Sequence, residues 1–208
     1  MSPFCRSARG KLIDNGSGQA MVEFAFIVTL LLIFMCAAID IGRALNTMQL
    51  IAQLTRQGSS LASRDDSCSA GASLSPPMNT LTCSAQALIA GDSGLGISKN
   101  GEVITTAVEN TGTTLSPIYM ITGQYSQGGL SVTSRVGTWT GANTPATVPA
   151  QFGTGTGGTP LQASQTMYVT EIFYTFKAIT PIGTLTQNWP AHGTAISLPT
   201  TLYDVAYF

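Results

Sequence analysis

Residues 19–40 read QAMVEFAFIVTLLLIFMCAAID, and the fold turns on them. From Phe24 to Ile39 there is no charged residue, and the 20-residue run from Ala20 to Ile39 has Glu23 as its one charge. A helix of about 20 apolar residues crosses the roughly 30 Å hydrocarbon core of a bilayer. A lone segment there can satisfy its backbone polar groups only as a helix. The stretch predicts a membrane-crossing helix over residues 19–39. The 18 residues before it, MSPFCRSARGKLIDNGSG, are small and polar, with Arg6, Arg9 and Lys11 against Asp14. Beyond the span, Asp40 and Arg43 nearly cancel, while Arg56 and Arg64 dilute the asymmetry. The positive-inside rule then places the N-terminus in the cytoplasm.

Other readings of the apolar run compete with this one. It could be a cleaved secretory signal with a cut near Cys36-Ala37-Ala38, but its leading region would run long and end in Glu23. It could be a lipoprotein anchor on Cys36, but Ile33-Phe34-Met35 lack the small residues such a site wants. It could be a plain signal anchor in which Glu23 has no role. An acid at the edge of a span is costly and usually functional, so the reading depends on Glu23.

Past the span a helical pattern continues. Ile41, Leu45, Met48 and Ala52 recur at helical spacing, and Ile51, Leu54 and Leu61 widen the stripe. No proline occurs between residues 4 and 75. One helix from about Gln19 to about Leu61 is predicted, on the order of 65 Å long at 1.5 Å per residue. Its outer half, residues 40–64, is amphipathic and must lie on something apolar, which its own head would supply.

Gly18-Gln19-Ala20-Met21-Val22-Glu23-Phe24, the apolar run, Asp40-x-Gly42-Arg43 and the amphipathic continuation together resemble the TadE-like minor pilins, or pseudopilins, of tight-adherence (Flp-type) pili. About 45 residues carry the resemblance. In that family a prepilin peptidase cuts after a glycine, and glutamate is the fifth residue of the mature chain. The resemblance implies a processing site at Gly18 and Gln19 and an assembly role for Glu23 and Phe24. Major pilins of the class usually have tyrosine after the glutamate; Phe24 departs from that and suits a minor subunit. The implied partners are the peptidase, other pilin and minor pilin subunits, an inner-membrane assembly platform and membrane lipid. The implied fold is α+β and pilin-like, a long N-terminal helix packed on a small antiparallel sheet. The implied place is the bacterial inner membrane, with residues 1–18 as leader and 65–208 as a periplasmic head. Tyr168-Val169-Thr170-Glu171-Ile172-Phe173-Tyr174 is a weaker echo of a late strand of the family. The alternative is a membrane-anchored periplasmic binding or adhesion domain on an uncleaved anchor.

The rest of the chain reads as a β-rich head. Residues 64–78 break the helical pattern with Gly71 and Pro76-Pro77. Cys68 and Cys83 flank that break and are the candidate disulfide; the other reading is two free surface thiols. Strands are predicted at Val103–Val108, Ile118–Tyr125, Leu130–Trp139, Tyr168–Ala178 and Leu202–Phe208. Tyr168, Thr170, Ile172 and Tyr174 alternate with Val169, Glu171 and Phe173, which predicts a sheet with one face on the helix. Residues 141–160, GANTPATVPAQFGTGTGGTP, carry no charge and read as a flexible surface loop.

Composition narrows the function. Charged residues are 9% of the 208, against roughly 25% in ordinary soluble domains, and the net charge is −1. Nothing there favours nucleic acid. His192 is the sole histidine, so a histidine-rich metal site is excluded, and it sits in turn-like company near Pro190. No GxSxG, Walker, HExxH or dinucleotide motif occurs. No cofactor and no catalytic residue is assigned, and an enzyme is not expected. Glu102, Glu109 and Glu171 would form a carboxylate pair only by folding chance. Trp139, Trp189 and Tyr125 are candidates for partner or glycan contact, and equally for packing.

Overall fold

In a computed structural model, the residues described are 16–64, 68, 73–92, 94–141, 144–155, 157–180 and 200–208. The N-terminal residues Cys5, Arg6, Arg9, Lys11 and Asp14, together with Gly71, Trp189 and His192, lie outside them.

Helix α1 spans Gly16–Ala62, 47 residues, one continuous element as the proline-free pattern requires. It is about 70 Å long at 1.5 Å per residue. Helices α2 (Met78–Ala90) and α3 (Ile97–Asn100) follow, then strands β1 (Gly101–Asn110), β2 (Tyr119–Gly128), β3 (Thr144–Pro145), β4 (Thr166–Thr175) and β5 (Thr201–Tyr207). The strands form one antiparallel sheet in the order β3-β2-β1-β4-β5. The architecture is α+β and pilin-like: a long N-terminal apolar helix laid on a five-stranded antiparallel sheet.

The period-two alternation of β4 sorts its side chains to two cores. On the helix side, Ile172 joins Val103, Ile51, Leu54, Ala85 and Leu88. On the other side, Val169 and Met167 join Val108, Ile121, Tyr119 and Val136. The expectation of one covered face is thus too simple, because both faces are buried. The cover on the outer face comes from residues read as a flexible surface loop. Ala146, Val148 and Phe152 of that stretch, with Leu161 just past it, pack there around a short 3-10 turn at Ala150–Phe152.

Leu130–Trp139 is not a strand, contrary to its β-rich composition. Its backbone donors are taken by side chains instead of a neighbouring strand. Leu130 N–H donates to Glu102 Oε2 at 3.2 Å, Arg135 N–H to Glu171 Oε1 at 2.9 Å and Trp139 N–H to Gln124 Oε1 at 3.0 Å. Glu171 is wholly buried, and it also accepts from the Ser134 and Tyr203 hydroxyls. Burial first, and then the Glu171 charge, push the Tyr203 hydroxyl above the ordinary tyrosine range, which keeps it a donor. A buried carboxylate with its lone pairs filled by hydrogen bonds stabilises this path. Helix α2 was missed by the strand-centred reading, although Leu81, Ala85 and Leu88 in it stand at helical spacing and are buried.

The outer half of α1 corrects a second expectation. Ile41, Leu45 and Met48 are exposed, and the face on the head is Asp40, Ala44, Thr47, Ile51, Thr55, Gly58, Ser59 and Ala62, with Leu54 beside it. Short side chains let a helix approach a sheet closely. The hydroxyls on this face turn back to the helix's own carbonyls: Thr47 donates to Arg43 O at 2.9 Å and Ser59 to Thr55 O at 3.1 Å. Satisfied in this way, they bury without needing a partner across the interface. Gly58 marks the closest approach, since a Cβ there would lie 2.4 Å from Leu88 Cδ1 and 3.0 Å from Thr170 Cγ2.

Candidate functional site

The residues singled out in the sequence stand on the part of α1 that no other described element covers. Gly18 has open space where a Cβ would be. The Gln19 side-chain amide donates to Glu23 Oε1 at 3.0 Å, one helical turn on. Residues 19 and 23 therefore share one face of the helix. Phe24 is 68% exposed, and every large apolar side chain from Met21 to Met35 is exposed as well. Among the described residues, α1 is the one helix long and apolar enough to cross a membrane. Exposed apolar surface this extensive marks a membrane or protein contact.

Where the apolar run ends, the character of the helix changes within one residue. Asp40 is buried on the head side, and its carboxylate is filled by the loop after β4. Oδ1 accepts from Ile179 N–H at 3.1 Å and Thr180 N–H at 3.4 Å, and Oδ2 accepts from Thr180 N–H and the Thr180 hydroxyl. Burial alone would raise the Asp40 pKa. The Thr180 hydroxyl, the two backbone N–H groups and the nearby Arg43 charge outweigh it and hold the carboxyl below the ordinary aspartate value. Three residues on, the Arg43 guanidinium sits 5.6 Å from the centre of the Phe176 ring, within cation–π range. Asp40-x-Gly42-Arg43 thus clamps residues 176–180 to the helix just beyond the apolar run. Sequence reading found the motif but assigned it no function. The signal was a charged pair directly after an apolar span.

Cys68 and Cys83 are joined by a disulfide that ties the segment after α1 to α2, with Cα atoms 5.6 Å apart. Cys36, inside the apolar run, is a free thiol. Glu102 and Glu171 are each held separately by backbone and hydroxyl donors of the 130–135 segment. Tyr125 is half-buried against the helix-side core, and Trp139 is 36% exposed. Among the described residues no group of three or more His, Cys, Asp or Glu could hold a metal.

Residues 18–60 match the family described as TadE-like protein. The match begins at Gly18, takes in Glu23, Asp40 and Arg43, and ends inside the buried half of α1; β4 is not part of it. No curated protein and no solved structure matches the chain.

Proposed function

We propose, from the TadE-like character of residues 18–60, that this chain is a minor pilin-type subunit that acts in the assembly or structure of a tight-adherence pilus for surface attachment. Residues 1–18 are a cytoplasmic leader, 19–39 cross the bacterial inner membrane, and 40–64 continue as the helix that carries a periplasmic head, 65–208. A prepilin peptidase cuts between Gly18 and Gln19. The subunit then leaves the bilayer for a fibre in which its apolar helix packs among those of other pilin subunits, through the inner-membrane assembly platform. The role is structural.

One observation carries this reading. Within the matched stretch, the half with Gly18 and Glu23 is apolar and bare, while the other half is fastened to a folded head. A bare apolar half suits an environment that changes, lipid first and neighbouring helices later. The side chains at 19 and 23 already meet across one turn. After cleavage the new amine of Gln19 would stand one helical turn from Glu23. Between neighbouring subunits such a pair attracts strongly in low dielectric, while desolvation offsets much of the gain. The pair therefore sets register and assembly competence more than raw stability.

The test is the N-terminus of the mature protein in its own host. Gln19 is expected as first residue, and Gly18→Leu should leave a band heavier by the 18-residue leader. An intact Met1 in wild type sinks the processing step and favours an anchored periplasmic binding or adhesion domain. Glu23→Ala should leave insertion intact and reduce piliation; normal pilus counts would refute the assembly role.

A further inference from the structure

At the base of the head, beside the Asp40 clamp, lies a cavity of about 190 Å³. It is lined by Arg43 and Thr47 of α1, Asn100 at the end of α3, Thr175 at the end of β4, and Lys177 and Ile179 of the clamped loop. Its size is below the roughly 300–1,000 Å³ of sites for drug-sized ligands. Both cations are exposed. The carboxylate nearest in sequence, Asp40, has its oxygens occupied by Ile179 and Thr180 donors. Among the described residues, no carboxylate stands within ion-pair distance of Arg43 or Lys177. Arg43, set over the Phe176 ring and near Asp40, and Lys177 bring two exposed cations to a small opening with neutral polar groups, which is the chemistry of a phosphate site.

Position selects the source of that phosphate. Arg43 is four residues past Ile39, the last residue of the apolar run, which puts it about 6 Å further along the helix axis. The headgroup layer of a bilayer adds about 5–8 Å to each side of the hydrocarbon core. Ile39, one turn before Arg43 on the same side of the helix, is exposed, and Ile179 on the pocket rim is 68% exposed. Apolar side chains at the boundary and cations one turn above it match the layering of a phospholipid.

We propose that the Arg43–Lys177 pocket holds the phosphate of an anionic glycerophospholipid, and that this contact seats the head on the membrane surface. It also accounts for cations at the end of the span where the positive-inside bias does not call for them. The proposal rests on reading α1 as a membrane span. Its release would accompany exit of the subunit from the bilayer.

The experiment uses the full chain in neutral detergent, with bound species counted by native mass spectrometry. The probes are dihexanoyl phosphatidylglycerol, dihexanoyl phosphatidylcholine and inorganic phosphate. One phosphatidylglycerol per chain should be retained, in preference to phosphatidylcholine. Arg43→Gln with Lys177→Gln should weaken retention about 30-fold, from about fivefold for each cation near an anionic surface. Arg43→Lys with Lys177→Arg should restore it. Undiminished retention in the neutral variant overturns the site. Equal retention of phosphatidylcholine, or displacement by inorganic phosphate at the lipid's own concentration, overturns the lipid assignment. A carbonate wash of host membranes separates the failures. A chain that washes off defeats the anchor reading, whereas an anchored chain with unselective retention defeats this proposal alone.

Discussion

The two halves of α1 obey opposite sorting rules. Over residues 18–35 the large apolar side chains point outward with none of the other described residues covering them. Over residues 40–62 Ile41, Leu45 and Met48 are still outside, and alanine, glycine, threonine and serine share the buried face with Ile51 and Leu54. The helical period is the same in both. What differs is the medium each half must satisfy. The first half needs apolar surroundings from outside the chain, so composition decides it. The second half must lie close on a sheet, so side-chain size and local hydrogen bonding decide it. Hydrophobic residues being inside is a one-way rule, and the second half shows the consequence.

The comparison is sharpest at its two carboxylates, and the largest expected effect is there. Asp40→Ala would remove the acceptor of the Ile179 and Thr180 N–H groups and of the Thr180 hydroxyl, at about 1 kcal/mol or more each. A loss of about 3 kcal/mol is expected in denaturant unfolding of the full chain in detergent, followed through tryptophan fluorescence. Glu23→Ala should leave the same transition unmoved. Equal losses would break the division between the halves. pH gives a second view of Asp40. Its folded pKa is lowered, so its contribution is present above the unfolded pKa and is lost as pH falls through the folded one. Acid should therefore narrow the gap between wild type and Asp40→Ala.

Next in size is the disulfide, which belongs wholly to the head. Cys68→Ser with Cys83→Ser opens a loop with a sequence separation of 15 and should cost about 3 kcal/mol or slightly less by loop-closure entropy. Membrane extraction of the variant should be unchanged, since the apolar half of α1 does not touch the bond. Glycines then divide the halves by sign. Gly58→Ala must displace Leu88 in a filled core, and a net loss of about 1–2 kcal/mol is expected after the helix-propensity gain. Gly42→Ala meets open space and should stabilise by up to about 1 kcal/mol. A loss at Gly42 in the same melts would reveal a contact on the bare side.

The sequence made the first half of α1 legible because composition over 20 residues is a strong signal, and the family match starts on that same stretch. It made β4 legible through alternation, and β1, β2 and β5 through short β-rich runs between turn residues. The helix face on the head was misread. An apolar stripe at Ile41, Leu45 and Met48 looks like a core face, whereas satisfied hydroxyls at Thr47, Thr55 and Ser59 look like a surface. The outer cover was misread for a related reason. Residues 130–139 help close that core with backbone donors bound to Glu102, Gln124 and Glu171, partners brought together only by the sheet register. The Asp40 clamp needs Ile179 and Thr180, about 140 residues away. Gly18 and the acid at 23 were readable as a motif. The Arg43–Lys177 pocket was not, because Lys177 carries no local pattern.

A pair of threonines tests how the second half of α1 handles hydroxyls. Thr55 and Thr170 are both wholly buried where α1 meets the sheet. The Thr55 hydroxyl donates to the Asp204 carboxylate of β5, on the edge of that sheet. The Thr170 hydroxyl has no hydrogen-bond partner among the described residues. A buried hydroxyl without a partner costs free energy, whereas one that is paired contributes it. Valine keeps the branched shape of threonine and suits a strand equally well. Thr170→Val should therefore stabilise the head by about 1 kcal/mol. Thr55→Val should destabilise it by about 1–3 kcal/mol, because the Asp204 carboxylate would lose its donor. Opposite signs in paired melts of the two variants support a contact in which the α1 hydroxyl is satisfied and the Thr170 hydroxyl of the sheet is not. Loss of stability in both would mean that ordered water reaches Thr170, and that this half of the helix is wetter at its sheet contact than its packing indicates.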